Sequence, residues 1–158
     1  MFTEPKRRLV AIVSADVAGY SRLMGKDEEG TLQLLNAARS VFREHIDTHG
    51  GRVVDTAGDS VLAVFDSVVE GLETTLDIQQ ALGALNADLS AERSMLFRIG
   101  INLGDVLEQS DGTIYGDGVN IAARVQSLAE PGGIAVSGAV HDFVGDRSAV
   151  EWHYLGEQ

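Results

Sequence analysis

Cysteine is absent from this 158-residue chain, which removes disulfides, thiol nucleophiles, iron–sulfur clusters and Cys-based zinc sites. That absence suits a reducing cytoplasm, the expected location. Lysine is almost absent too: Lys6 and Lys26 are the only two, so no ammonium group stands beyond residue 26. Apolar runs such as Leu9 to Val13 fall far short of the roughly 20 residues of a membrane span. This one runs into Asp16 with no cleavage pattern, so it is not expected to be a signal peptide. The sequence lacks G-x-x-x-x-G-K-[ST], G-x-G-x-x-G and G-x-S-x-G, setting aside P-loop NTPases, the usual dinucleotide fingerprint and the nucleophile elbow. Positive charge is scarce. Twelve Lys+Arg against 24 Asp+Glu leave −12 at pH 7, a field that opposes nonspecific binding to nucleic acid or an anionic membrane. A protein of this charge that handles a polyanion needs metal ions or a few placed arginines.

What is present reads as one globular domain over 1–158, with 44% hydrophobic and 23% charged residues and residues 1–7 as a flexible lead-in. Leu9 to Asp16 reads as a strand buried on both faces, broken by Gly19. Asp27-Glu28-Glu29 offers negative charge to a helix start. Leu34, Ala38, Val41 and His45 then form its stripe, and His49-Gly50-Gly51 ends it. Two short apolar runs, 52–57 and 60–66, flank Gly58-Asp59 as a predicted two-residue hairpin. Val68, Leu72, Leu76 and Leu82 mark a second helix. Met95 to Leu103 alternates with period two, and a glycine-rich loop spans 110–118. A third helix starts near Val119 and ends before Pro131. Ile134 to Ser137 and Val150 to Tyr154 read as closing strands. The order β-α-β-β-α-β is that of the ferredoxin-like, split βαβ sandwich of the α+β class. Helices are expected on one face of a mainly antiparallel sheet, with a second subunit covering the other.

Asp16 ends the first strand and Asp59 sits in the hairpin, and these strands neighbour each other in a split βαβ sheet. Two convergent carboxylates without Cys or His suit a hard cation such as Mg²⁺; a turn cap and a loop filler are the plainer alternatives. The Gly19-Tyr20-Ser21 turn can present N–H groups to phosphate oxygens, though most such turns bind nothing. Asn120 and Arg124, at i and i+4, share one helix face, either for a common ligand or as a polar stripe. His45 and His49 share that spacing but lack a third ligand, so they read as edge-of-core and helix-terminal. Asp111 and Asp117 read as turn residues.

Five blocks in order then carry a family resemblance: 13–21 (VSADVAGYS), 56–60 (TAGDS), 97–104 (FRIGINLG), 114–124 (IYGDGVNIAAR) and 131–137 (PGGIAVS). Together they resemble the catalytic domain of class III nucleotidyl cyclases of bacterial type, over almost the whole chain. The resemblance implies conversion of ATP to 3′,5′-cyclic AMP and pyrophosphate in a head-to-tail homodimer. It implies two divalent ions, Mg²⁺ or Mn²⁺, held by Asp16, Asp59 and the Val17 carbonyl. Asn120 of the partner chain would orient the ribose and Arg124 would neutralise the α-phosphoryl charge. Amides of Gly19, Tyr20 and Ser21 would cradle the outer phosphates. No nucleic-acid or membrane partner is expected.

Two positions depart from the adenylate cyclase pattern. Asp55 stands where those enzymes place a base-reading lysine, and Thr113 where its aspartate partner would be. A carboxylate accepts hydrogen bonds only, matching guanine N1–H and N2–H₂, yet Asp55 also accepts from the adenine amino group. Thr113 resembles a bacterial subgroup in which bicarbonate stimulation recurs. The triphosphate-binding lysine of the family is expected a few residues beyond Gln158. Guanylate cyclase activity and a regulatory, catalytically degenerate domain are the alternatives. A polymerase-like palm is disfavoured by the acidic charge.

Overall fold

The computed structural model describes residues 4–145 and 150–156. In chain order these form β1 (Lys6–Val17), α1 (Tyr20–Lys26), α2 (Glu28–Thr48), β2 (Gly51–Asp55), β3 (Val61–Phe65) and α3 (Val68–Asn86). There follow β4 (Phe97–Glu108), β5 (Ile114–Tyr115), α4 (Asp117–Ser127), β6 (Ile134–Val136) and α5 (Gly138–Val144). The sheet runs β2-β3-β1-β4-β5 with antiparallel neighbours, and β6 pairs parallel to β4. Its β2-β3-β1-β4 centre is the split βαβ order, so the α+β, ferredoxin-like expectation holds.

Alternation along β1 assigns the two faces. Ala11, Val13 and Ala15 join the larger core with Leu35, Phe42 and Phe97, under α2 and α3. Val10 and Ile12 point the other way and join a smaller core with Val64, Val106, Ile114 and Ala122. Ala122 lies on α4, so a helix of the same chain covers much of the second face. Helices therefore pack on both faces, not one. Period two in β4 hid this, because Gly100 and Asn102 look like the solvent side of an alternating strand yet are buried. A Cβ on Gly100 would stand 2.2 Å from the Gln126 backbone nitrogen, so glycine there is what lets α4 lie against the sheet.

Local differences have local causes. The described strand begins at Lys6, and Lys6 and Arg7 pair with Glu108 and Leu107, so these two leave the expected lead-in. The α2 stripe that is buried is Thr31, Leu35, Ala38, Phe42 and Ile46, one residue on from the expected Leu34 and Val41, which lie at its margin. Asp27 caps this helix by accepting from Gly30 N–H. On α3, Leu76 is exposed, while Thr74, Thr75 and Ile78 are buried. The β2–β3 connection runs from 56 to 60, longer than a two-residue hairpin, because β2 stops at Asp55 and β3 starts at Val61. Helix α4 starts at Asp117. Residues 150–154 form no strand; Val150 and Trp152 instead pack on the larger core, with Trp152 edge-on to His141 at 5.0 Å between ring centroids. Among the described residues no helix is long and apolar enough to cross a membrane.

Candidate active site

The end of β1 and the 56–60 loop meet where the sequence placed two carboxylates together. Val17 N–H donates to Asp59 Oδ2 at 3.0 Å, tying the loop to the strand one residue beyond Asp16. Asp16 continues the Ile12–Ser14 side of β1, the α4 side, where Ser14 Oγ donates to Gln126 Oε1 at 3.1 Å. Burial pushes the Asp16 carboxyl above the ordinary aspartate value, and the Asp59 charge pushes the same way. Gln126 and the Arg98 charge pull it back. Asp16 Oδ1 is buried and has no hydrogen-bond partner. An orphaned carboxylate oxygen beside a second carboxylate is a place short of positive charge.

Four arginines that sequence reasoning did not single out hold these elements and the segment before Thr113. Arg98 pairs with Asp16 across the β1–β4 ladder, and its buried Nε has no partner. Arg39, on α2, donates to the carbonyls of Thr56 (3.5 Å) and Gly58, while Arg43 reaches Thr56 Oγ1 at 3.4 Å. The loop carrying Asp59 is thus held from α2. Arg52, on β2, reaches the segment before Thr113. Only strand register and tertiary contact reveal these roles; nothing in the linear spacing marks them.

Beyond the carboxylates, Gly19 (φ 69°) is the N-cap of α1 and makes no side-chain capping bond. Gly19 has no side chain to cap the first-turn N–H groups of α1. On α4, Gly118, Ala122 and Gln126 face the sheet, with Asn102 Nδ2 donating to the Gly118 carbonyl at 3.1 Å. Asn120 and Arg124 lie on the opposite, exposed side. Asp16 of the same chain is instead on the side of α4 that faces the sheet, near Gln126. Exposed Tyr115, Ile121 and Leu128 flank Asn120 and Arg124.

A bulge decides where Asp55 goes. Val53 pairs with Ala63 but Asp55 pairs with Leu62, so the extra residue turns Asp55 to the Leu62 side. That is the side of Ser14, Leu62's partner on β1, and of the smaller core. Thr113 N–H is held by Asp111 Oδ1 at 2.9 Å. His45 and His49 turn Nδ1 onto the carbonyls of Val41 (2.8 Å) and His45 (2.7 Å), as expected of edge and terminal residues.

The family model for the adenylate and guanylate cyclase catalytic domain matches residues 3–157. The chain belongs to that family. A Rhizobium meliloti (strain 1021) protein named "Putative adenylate cyclase 3" is 44% identical over 93% of this chain, and an adenylate cyclase of Glutamicibacter nicotianae is 35% identical over 77%. The matched regions make up 25% and 29% of those proteins. The crystal structure of an adenylate/guanylate cyclase/hydrolase from Silicibacter pomeroyi superposes with a TM-score of 0.85 at 42% identity, covering 97% of this chain and 89% of that one.

Cyclases of this family generally use divalent metal ions and act as dimers on nucleotides. The residues of this cyclase domain fit such an ion. Two carboxylates converge, one oxygen is orphaned, and the donor set is all oxygen. Among the described residues no three His, Cys, Asp or Glu side chains cluster, so an ion held here would complete its shell with backbone, water and substrate oxygens. That matches the way Mg²⁺ is usually bound, through one or two carboxylates and phosphates.

Proposed function

We propose that this cyclase domain converts ATP to 3′,5′-cyclic AMP and pyrophosphate at the interface of a head-to-tail homodimer. The observation that carries the reading is the division of the site. The anionic half, Asp16 and Asp59, lies where the end of β1 meets the 56–60 loop, while Asn120 and Arg124 are exposed on the side of α4 turned away from the sheet. Two such chains facing each other complete both halves.

Asp16, Asp59 and the Val17 carbonyl would hold two Mg²⁺ or Mn²⁺ ions. When bound, these ions lower the pKa of the ribose 3′-hydroxyl and screen the triphosphate. The residues do the rest. First-turn amides at Gly19, Tyr20 and Ser21 bind the outer phosphate oxygens. Arg98, whose buried Nε has no hydrogen-bond partner among the described residues, supplies a cationic contact to the triphosphate. Asn120 of the partner chain orients the ribose so that O3′ lies in line with the α-phosphorus. Arg124 of that chain stabilises the charge that grows on the α-phosphoryl oxygens as the O3′–P bond forms and the P–O bond to pyrophosphate breaks. Asp55 and Thr113 face the base. The ATP assignment follows the names of the 44% and 35% identical relatives. GTP is the second reading, favoured by Asp55, whose acceptor-only carboxylate complements the N1–H and N2–H₂ donors of guanine.

The test is cyclic-nucleotide production with Mn²⁺, offering ATP and GTP separately. Cyclic AMP is the expected product; cyclic GMP alone would transfer the assignment to GTP. Asp16→Ala and Arg124→Ala proteins should each lose activity by about a hundredfold or more and should regain part of it when mixed. Failure to complement, with subunit exchange shown independently, would place each site within one chain.

A further inference from the structure

The two base-facing positions start far apart in the sheet. Asp55 ends β2, one edge strand, and Thr113 precedes β5 beyond β4 on the other side. No backbone pairing joins these elements. One side chain does. Arg52, three residues before Asp55, donates from Nη1 to the Gly112 carbonyl at 3.0 Å and from Nη2 to Glu108 Oε1 at 2.8 Å. Gly112 is the residue immediately before Thr113.

Both ends of this bridge are built for it. Glu108 is held by its other oxygen, which accepts from Arg8 Nη1 at 2.5 Å. Gly112 has φ +91°, and a Cβ there would stand 3.0 Å from Arg52 Nη1, so the loop approaches the guanidinium as closely as a glycine allows. The loop is also closed on itself: Gln109 N–H donates to the Thr113 carbonyl and Gly112 N–H to the Gln109 carbonyl, both at 2.9 Å. A displacement of Gly112 therefore carries Thr113 with it. A planar guanidinium spans the carbonyl and the carboxylate at once, which an ammonium group cannot reproduce. Half-exposed ion pairs add little to stability, so the consequence of this bridge is positional.

We propose that Arg52 is a positioning residue for nucleotide selection, bridging β2 to the 109–113 loop so that Asp55 and Thr113 of one chain face the same base. This rests on the base-facing assignment made above. It predicts that nucleotide preference changes when Arg52 is replaced, through the position of Thr113 relative to Asp55.

The test measures kcat and KM for ATP and GTP on the full chain, with affinities for the 3′-deoxy analogues of both nucleotides in Mn²⁺ as a readout independent of turnover. Arg52→Ala should shift the ATP-to-GTP ratio of kcat/KM by about tenfold, mainly through KM. Arg52→Lys should fall between it and the parent. A loss of equal factor on both nucleotides, or no change, overturns the proposal. Asp55→Ala and Thr113→Ala serve as controls. If neither alters the ratio, the base-facing assignment fails and this inference with it. If they alter it and Arg52→Ala does not, the Arg52 inference alone fails. Should Arg52→Ala not fold, Arg52→Lys keeps the ion pair with Glu108 and carries the test.

Discussion

Asp16 is the residue whose surroundings conflict most with its charge. Its carboxyl titrates above the ordinary value because of burial first and Asp59 second. The folded state therefore binds its proton more tightly than the unfolded chain does. This group's contribution to stability is present below the unfolded pKa and is lost as pH rises through the folded one. Without divalent ions, Asp16→Asn should raise the melting temperature at pH 7 by about 2 °C. That gain should vanish near pH 3, where the parent is protonated as well. Mn²⁺ should stabilise the parent and not the variant, while cyclase activity of the variant falls at least about a hundredfold. Thermal melts across pH, with and without Mn²⁺, check all of this. On α4, Arg124→Ala should lower kcat by about 10²- to 10³-fold with little change in KM, as removal of a transition-state contact does.

At the scale of elements, α4 and α2 do different work. Helix α4 rests on glycine: the 2.2 Å clash at Gly100 is with backbone, which no rotamer change relieves. Gly100→Ala should destabilise by about 3 kcal/mol or more, a fall of about 6–12 °C in melting temperature. Gly83→Ala is the matched control. It lies in α3 with nothing within 4 Å of an added Cβ, and should stabilise by about 0.5–1 kcal/mol. Helix α2 reaches the 56–60 loop through Arg39 and Arg43. Arg39→Ala should leave the fold intact but raise the Mn²⁺ concentration for half-maximal activity several-fold, read from a metal titration of the initial rate.

Taken as a whole, the molecule shows which information a linear sequence holds. Strands β1 and β4 were legible because apolar runs and alternation are local, and the carboxylate pair because its strands are forced to be neighbours in a split βαβ sheet. The second helical face was not legible. It depends on Gly100 and Asn102, whose residue types suggest solvent but which α4 covers, Gln126 standing over Gly100 and the Gly118 carbonyl accepting from Asn102. Arg98 escaped notice because its link to Asp16 is a matter of register between strands 82 positions apart in the chain. Asp55 was readable as a departure from the family pattern, but the bulge that turns it to the Leu62 side was not. The positive groups beside the end of β1 and the 56–60 loop are arginines on α2 and β4, so a chain of net charge −12 still sets cations next to its two carboxylates.

The bond from Val17 N–H to Asp59 Oδ2 turns one backbone amide into a reporter. Hydrogen exchange at Val17 requires that the 56–60 loop release the strand, so its rate measures how often the Asp59 carboxylate swings free, without any nucleotide present. A slow, native-like rate at Val17 beside faster exchange at Gly58 would mark the loop as preorganised. Equal rates would mark a site that is assembled only when substrate arrives.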